Sequence, residues 1–374
     1  MAARSFCTSI TSSDSFVRVL REARNDVPNA AAGLVFVAGG PTPTRQVSEQ
    51  IRTAWKGIPT LIVPGAGVLH ERAEIEGSAA ASGLLWSNGK AAPFALRDPM
   101  HDPVRLGNAI GAAFGPKASS ALVFAQAETF DPETLEGITE TSSTTHVFGA
   151  GTVGKPPMML SVDGELVDAP VVGLGLSHLA KPITATSGAC RLLSKLEPIE
   201  EVTAGLVMRI GGQKALDLLS RCTVDKPADQ EPPPVIFAAL SDPLDPTPDG
   251  RANYFIRPIR GIDTNRRGIM VGNEARPGMR MAFAVRDPLS GRTELDATAR
   301  FVAQNMLGSA PNFGIYLTCA GRGQNLYGAP DVEARILRQR FGDLPIAGMH
   351  SAFEISPRDK RPPRLDLYTS VLAV

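Results

Sequence analysis

Cys319 and Arg322 stand where an apolar run ends, in the segment YLTCAGRGQ, with Arg322 held between Gly321 and Gly323. A guanidinium is a planar fork of donors that can take a carboxylate through two parallel hydrogen bonds. Flanking glycines let the backbone turn with positive φ and approach a ligand closely. Arg322 therefore reads in two ways, as receptor for a ligand carboxylate or as partner of a structural one, Glu333 or Glu354. Glu354 is the preferred protein partner, because it and Arg322 are expected to leave neighbouring parallel strands at one edge. A thiol beside an arginine is a setting for a reactive thiolate. No histidine is placed by the sequence as its base, however, so Cys319 reads as a small buried residue and the chain as no enzyme.

Other catalytic patterns are absent. There is no P-loop, HExxH, GxSxG or CxxC, and the Gly-rich stretches GLGLS and GAGTVG lack the full dinucleotide fingerprint. The five histidines, His70, His101, His146, His178 and His350, show no metal-ligand spacing. No resident cofactor is expected.

The elements that must position these residues follow from hydrophobic periodicity. AAGLVFVAGG, SALVFAQAE and GIYLTCAGRG read as buried strands. Each is followed by a helical stretch (RQVSEQIRTAW, PETLEGITE, DVEARILRQRF) and a second strand (PTLIVPGAG, THVFGAGTVG, LPIAGMHSAFEI). Leu34, Leu122 and Ile315 then occupy matched places. The second-strand exits align Glu71, Lys155 and Glu354. Hairpins are expected at Asn88-Gly89 and Asp163-Gly164. A capped helix is expected over TSSDSFVRVLREARND. The fold class is α/β with mixed α+β character: two pseudo-related halves of βαβ units, with antiparallel hairpins completing mixed sheets. Residues 1–30 form a tail and helix, 31–224 an N-terminal domain, 225–235 a Pro-rich linker (DKPADQEPPP is its core) and 236–374 a C-terminal domain.

At 374 residues the chain is too long for one ordinary core. Zero formal net charge gives no electrostatic reason to expect nucleic acid or an anionic membrane. No window is long and apolar enough for a transmembrane helix. Four scattered cysteines fit reduced thiols and a cytoplasmic location. The acid-poor N-terminus is read as a short tail in preference to an organellar presequence.

The stretch LTCAGRGQNLYGAPDVEARILRQRFGDLPIAGMHSAFEISP, followed by LDLYTSVLAV, resembles the C-terminal half of the FIST domain family. The shared features are a Cys-x-Gly-Arg-Gly strand exit, an aromatic-Gly step, a Glu-bearing helix, and a Pro-x-x-Gly segment closing on Glu. Upstream, EARPGMRMAFAVRDP, SGACRLLSKLEPIEEVTAGLVMRIGGQKALDLL and GAGVLHERAEIEGSAAASGLLW are similar to the rest of that pattern, so the resemblance covers essentially the whole chain. It implies a stand-alone sensory protein of intracellular signal transduction. Its ligand is an amino acid or small carboxylate, and a separate output protein takes the signal. Arg322, Cys319, Gly321, Gly323 and Glu354 would bind the ligand, with Cys190 and Arg191 from the other half. Two alternatives stand beside this reading: a haem-binding nitric-oxide sensor with His350 or His70 as axial ligand, and a non-catalytic interaction subunit of a larger complex. Met349, His350 and Phe353 depart from the aromatic pair and Gly of the family pattern, and Phe353 is expected to narrow the pocket.

Overall fold

The computed structural model describes residues 3–97, 102–144, 146–222, 234–244, 254–306, 311–359 and 361–374. The chain packs as two units, Met1–Ser187 with Glu294–Val374, and Gly188–Thr293. The class is mixed α/β with parallel and antiparallel pairing, as expected.

The first unit runs through one succession of elements three times. The first pass is β1 (Ala3–Ser9), α1 (Ser13–Asp26), β2 (Ala32–Ala38), α2 (Pro41–Ala54), β3 (Thr60–Pro64), β4 (Gly67–His70), β5 (Glu74–Glu76) and β6 (Ala80–Trp86). The second is β7 (Lys90–Leu96), α3 (Pro103–Ala113), β8 (Ser120–Gln126), α4 (Thr134–Thr141), β9 (His146–Thr152), β10 (Met158–Leu160), β11 (Leu166–Asp168) and β12 (Val171–Ser177).

The third pass begins with β13 (Thr184–Gly188). The chain then forms the second unit: β14 (Cys190–Leu192), β15 (Glu197–Thr203), β16 (Leu206–Ile210), β17 (Gln213–Lys214), α5 (Ala215–Arg221), β18 (Ile236–Ser241), β19 (Phe255–Pro258), β20 (Gly261–Asp263), β21 (Gly268–Met270) and β22 (Arg280–Arg286). These nine strands form one sheet around their own core of Val207, Leu240, Ile269, Met281 and Phe283. α6 (Pro288–Asn305) leads back into the first unit. The third pass closes with β23 (Gly314–Cys319), a short α7 (Gln324–Tyr327), α8 (Val332–Phe341), β24 (Ile346–Ser351), β25 (Glu354–Arg358), β26 (Arg361–Asp366) and β27 (Thr369–Ala373).

The resulting six-stranded sheets have the orders β1-β6-β2-β3-β10-β11, β7-β12-β8-β9-β25-β26 and β13-β27-β23-β24-β4-β5. In each, the two strands of a βαβ unit are parallel. In each, the outer hairpin comes from a different pass: β4–β5 completes the third sheet, β10–β11 the first and β25–β26 the second. Leu34, Leu122 and Ile315 all lie on the first strand of their parallel pair.

This exchange corrects two expectations. The turn at Asn88-Gly89 exists, with Gly89 at φ 72°, but it joins no hairpin, since β6 pairs with β1 and β2 while β7 pairs with β12. Glu71, Lys155 and Glu354 do not align: Glu71 follows β4, Lys155 lies between β9 and β10, and Glu354 opens β25. The Asp163-Gly164 hairpin forms as expected, between β10 and β11. The Pro-rich segment lies almost wholly outside the described residues, as does His101. The compact units follow a different division from N- and C-terminal halves, because residues from both ends of the chain share sheets in the first unit.

Packing follows from alternation along the strands. Leu34, Leu122, Leu174, Leu317 and Met349 turn one face of each sheet into a shared central core. The opposite faces are covered by helix pairs. For the third sheet these are α6 and α8, whose Leu295, Val302 and Leu337 meet Leu69, Tyr316, Ile346 and Leu372. That helix-covered face is apolar at one end and polar at the other, and the polar end holds the site.

Candidate functional site

A row of residues crosses the third sheet. Thr318 on β23 is opposite Ser370 on β27 and His350 on β24. His350 is opposite Gly67 on β4, and Gly67 is opposite Glu76 on β5. Opposed residues in a ladder point to the same face. Glu74 and Glu76 share that face because side chains alternate along a strand. At the far edge Ser187 Oγ on β13 lies 3.1 Å from Ser370 Oγ. Gly67 makes the row possible: a Cβ there would stand 2.9 Å from His350 Cδ2 and 3.0 Å from Glu76 Cγ.

Arg322 is laid over this row, 1 % exposed, just after β23 ends. Its Nε donates to Glu333 Oε1 at 2.6 Å, its Nη1 to the Ser187 carbonyl at 3.0 Å, and its Nη2 to Ser187 Oγ at 3.2 Å and Tyr327 Oη at 3.1 Å. Glu333, from the first turn of α8, is wholly buried and accepts three further hydrogen bonds. Tyr327 Oη donates to Oε1 at 2.8 Å, and Tyr316 Oη and Thr318 Oγ1 donate to Oε2 at 3.0 and 2.9 Å. Burial alone would raise the Glu333 carboxyl, but the Arg322 charge and these donors hold it below the ordinary range. Burial works against the Arg322 charge, yet Glu333 holds its pKa well above the ordinary value.

The fixed carboxylate partner expected for Arg322 is therefore present, and it is Glu333. Glu354, the preferred partner, is not bonded to Arg322 through any described hydrogen bond. β25 leaves the third sheet and pairs with β9 of the second, which removes the shared edge on which that preference rested. Glu354 Oε1 accepts from Ser351 Oγ at 2.8 Å, while its Oε2 is buried with no hydrogen-bond partner. Burial pushes this carboxyl well above the ordinary range, and Asp366 on the adjoining strand adds to the rise.

The glycines divide. Gly323 takes φ 64°, which favours glycine, and a Cβ on it would lie 2.4 Å from Glu76 Oε1, so the Glu76 carboxylate would have to shift. Gly321 is outside the positive-φ region; its N–H donates to Cys319 Sγ at 3.4 Å. Burial pushes the Cys319 thiol up to about 12, with Glu354 adding to the effect. This is the opposite of an activated thiolate. Phe353 narrows no pocket here: it stacks on Phe130 in the core of the second sheet and fills the space over Gly151. Cys190 and Arg191 lie on β14 of the second unit. There the Cys190 carbonyl accepts from Tyr254 Oη, and Arg191 Nε is 3.9 Å from Asp287.

Sequence reasoning missed Glu74, Glu76 and Ser187. Glu74 Oε1 accepts from the Ala334 N–H at 2.9 Å, and Glu76 Oε1 from the Gln324 N–H at 2.9 Å. Glu74 Oε2 and both ring nitrogens of His350 are buried without a hydrogen-bond partner, with His350 Nε2 3.8 Å from Glu74 Oε2. Burial, with Glu333 nearby, raises the Glu74 carboxyl to about 8. Burial lowers His350 more than Glu333 and Glu76 raise it, and Arg322 reinforces the fall; the Cys319 carbonyl lies near enough to the ring to oppose the fall slightly but is outside hydrogen-bond geometry. The signal for the glutamates was present in the Glu-Ile-Glu run, where period-two spacing puts both acids on one face.

His70 sits apart. Its Nδ1 accepts from the N–H groups of Arg72 and Ala73 and so caps a turn. Neither expected histidine suits haem, which needs a broad apolar wall beside its axial ligand: His350 faces carboxylates and His70 is spent on its own loop. A surface cavity of about 750 Å³ lies elsewhere in the first unit, between α2 and the β10–β11 hairpin, lined by Arg45, Glu49, Lys155 and Asp168 among others.

An uncharacterised protein of Mycobacterium tuberculosis is 24 % identical over 197 residues, 52 % of this chain and 51 % of the relative, so the chain spans about half the length of the curated relatives it matches there. An uncharacterised protein of Mycobacterium bovis is 24 % identical over 366 residues, 94 % of this chain and 92 % of the relative. Residues 215–357 match the FIST C domain. The matched span contains Arg322, Glu333 and His350 but not Glu74, Glu76 or Ser187, which other parts of the chain supply to the same face. That stretch of the protein is similar to a domain family of sensing and signal transduction.

Proposed function

We propose that this chain is a small-ligand-binding sensory protein whose ligand, an amino acid or small carboxylate, engages the polar row of the third sheet. One observation carries the reading: Glu74 Oε2 and both His350 ring nitrogens are buried and unpartnered beside the Arg322–Glu333 pair. Buried polar atoms without partners are costly and rare, and an arriving ligand that satisfies them recovers that cost as affinity. The ammonium of an amino acid suits Glu74 and Glu76. Its carboxylate suits a His350 N–H or, by displacing Glu333, the Arg322 fork. The row ends at half-buried Glu76, whose Oε1 accepts from the N–H of exposed Gln324. A cytoplasmic location and a separate output protein belong to the same proposal.

The test is thermal unfolding of chelator-treated protein against a panel of amino acids and small carboxylates. A cognate ligand at one hundred times its Kd stabilises by about 2.7 kcal/mol, a shift of several degrees in Tm. His350→Gln should abolish the shift. A panel without any stabilising member sinks the reading. The haem alternative has less support, because His350 is walled by carboxylates; a Soret band on haem addition that His350→Ala removes would revive it.

A further inference from the structure

We propose that Glu74, Glu76 and His350 form a binding site for one divalent transition-metal ion, with one carboxylate oxygen from each glutamate and one imidazole nitrogen. The proposal rests on the reading of the polar row as the ligand site, and specifies a ligand that reading leaves open.

Three observations carry it. The first is distance. One ligand atom from each of the three residues lies within 4.8 Å of the other two, and His350 Nε2 is 3.8 Å from Glu74 Oε2. Donors on a tetrahedral ion with bonds of about 2.1 Å stand about 3.4 Å apart, so closing onto an ion takes side-chain movements of only a few tenths of an ångström for that pair. The second is satisfaction. His350 is 1 % exposed and neither ring nitrogen has a hydrogen-bond partner, while the free oxygen of Glu74 faces it. A structural histidine at this depth would use at least one nitrogen; a metal ion takes one imidazole nitrogen and one oxygen at once. The third is charge. Arg322 and Glu333 neutralise each other. Glu74 and Glu76 have no cation among their described ion pairs except His350, 3.8 Å from Glu74. A dication balances two carboxylates and leaves the imidazole neutral, the form that ligates.

The backbone holds the ligands as a designed site would. Opposed ladder positions fix His350 and Glu76 on either side of Gly67. The second oxygen set is oriented from outside the site: the Ala334 N–H anchors Glu74 and the Gln324 N–H anchors Glu76. A mixed nitrogen and oxygen donor set with no sulfur favours ions of the zinc, cobalt and manganese class over soft ions, and three protein ligands leave a coordination position open.

The experiment uses Co²⁺ alone, added to chelator-treated full-length protein from which any histidine tag has been removed. The expected result is a visible d–d absorption that saturates at one equivalent, with no sulfur-to-metal charge-transfer band. Glu76→Gln and His350→Gln should each weaken binding at least tenfold, while surface Glu165→Gln leaves it unchanged. Gly67→Ala, which removes no ligand but crowds His350 and Glu76, should weaken binding too, and urea unfolding of each variant by tryptophan fluorescence separates a lost ligand from a lost fold. No saturable absorption, a thiolate band, or wild-type binding by Glu76→Gln and His350→Gln overturns the proposal. Because the amino acid panel is run without metal, a stabilising amino acid with no Co²⁺ site rejects this inference and keeps the broader one. A Co²⁺ site with no stabilising amino acid does the reverse.

Discussion

Replacing Arg322 by Met tests whether the buried ion pair holds the third sheet to its helices. The substitution keeps an unbranched apolar stem and removes four described hydrogen bonds: one to Glu333, two to Ser187 and one to Tyr327. It also strands the Glu333 carboxylate, 0 % exposed, with hydroxyl donors but no opposing charge. Removing one partner of a buried pair costs about 3–5 kcal/mol, a large share of the 5–15 kcal/mol that holds a typical domain. Arg322→Met combined with Glu333→Leu removes the stranded charge as well, so the double variant should be less destabilised than the sum of the single variants, by about 2 kcal/mol or more. The protein carries its own probe. Its two tryptophans, Trp55 and Trp86, are both buried in the first unit, so urea unfolding followed by tryptophan fluorescence reads that unit. A loss below about 1 kcal/mol for Arg322→Met, or strict additivity in the double variant, would refute the reasoning.

Three further outcomes are expected. Gly323→Ala should destabilise the first unit by more than the roughly 1 kcal/mol typical of a positive-φ glycine, since the methyl also meets Glu76; unchanged urea midpoints would contradict this. Glu333 has its folded pKa below the ordinary 4.5, so its contribution is fully present above that value and is lost as pH falls through the folded one. Chelator-treated wild type should therefore lose stability below pH 4.5 more steeply than Glu333→Gln, and parallel curves would count against the pair. Native alkylation at pH 8 should modify half-buried Cys222 well before Cys7 and Cys319, whose thiols burial pushes up to about 12; early labelling of Cys319 in a peptide mass map would show a thiolate where none is expected.

Much of the fold was legible because it is written in local periodicity. The three apolar runs became β2, β8 and β23, and the helical stretches after them became α2, α4 and α8. What failed was pairing. Nothing in ASGLLWSNGKAAPFAL tells that its two strands part into different sheets, because each finds an apolar neighbour far away in sequence. The same blindness affected the site. Arg322 and Glu333 are eleven residues apart, within reach of local reasoning, and the pair was foreseen as an option. Glu76 and Gln324 are 248 positions apart, and only the exchange of the β4–β5 hairpin into the third sheet brings Glu76 to this face; Ser187 lies 135 from Arg322 because the second unit is inserted between β13 and the rest of the third pass. Glu354 misled for the same reason, since its strand belongs to a sheet other than the one it follows in sequence.

The most direct measurement of the central claim is calorimetric titration of the chelator-treated protein with the amino acid or small carboxylate that stabilises it most, in wild type and in His350→Gln. The account predicts binding of one ligand per chain in the wild type and at least tenfold weaker binding in the variant, since the unpartnered imidazole in the polar row is what the ligand satisfies. Equal affinity in the two proteins would place the ligand elsewhere and contradict the account.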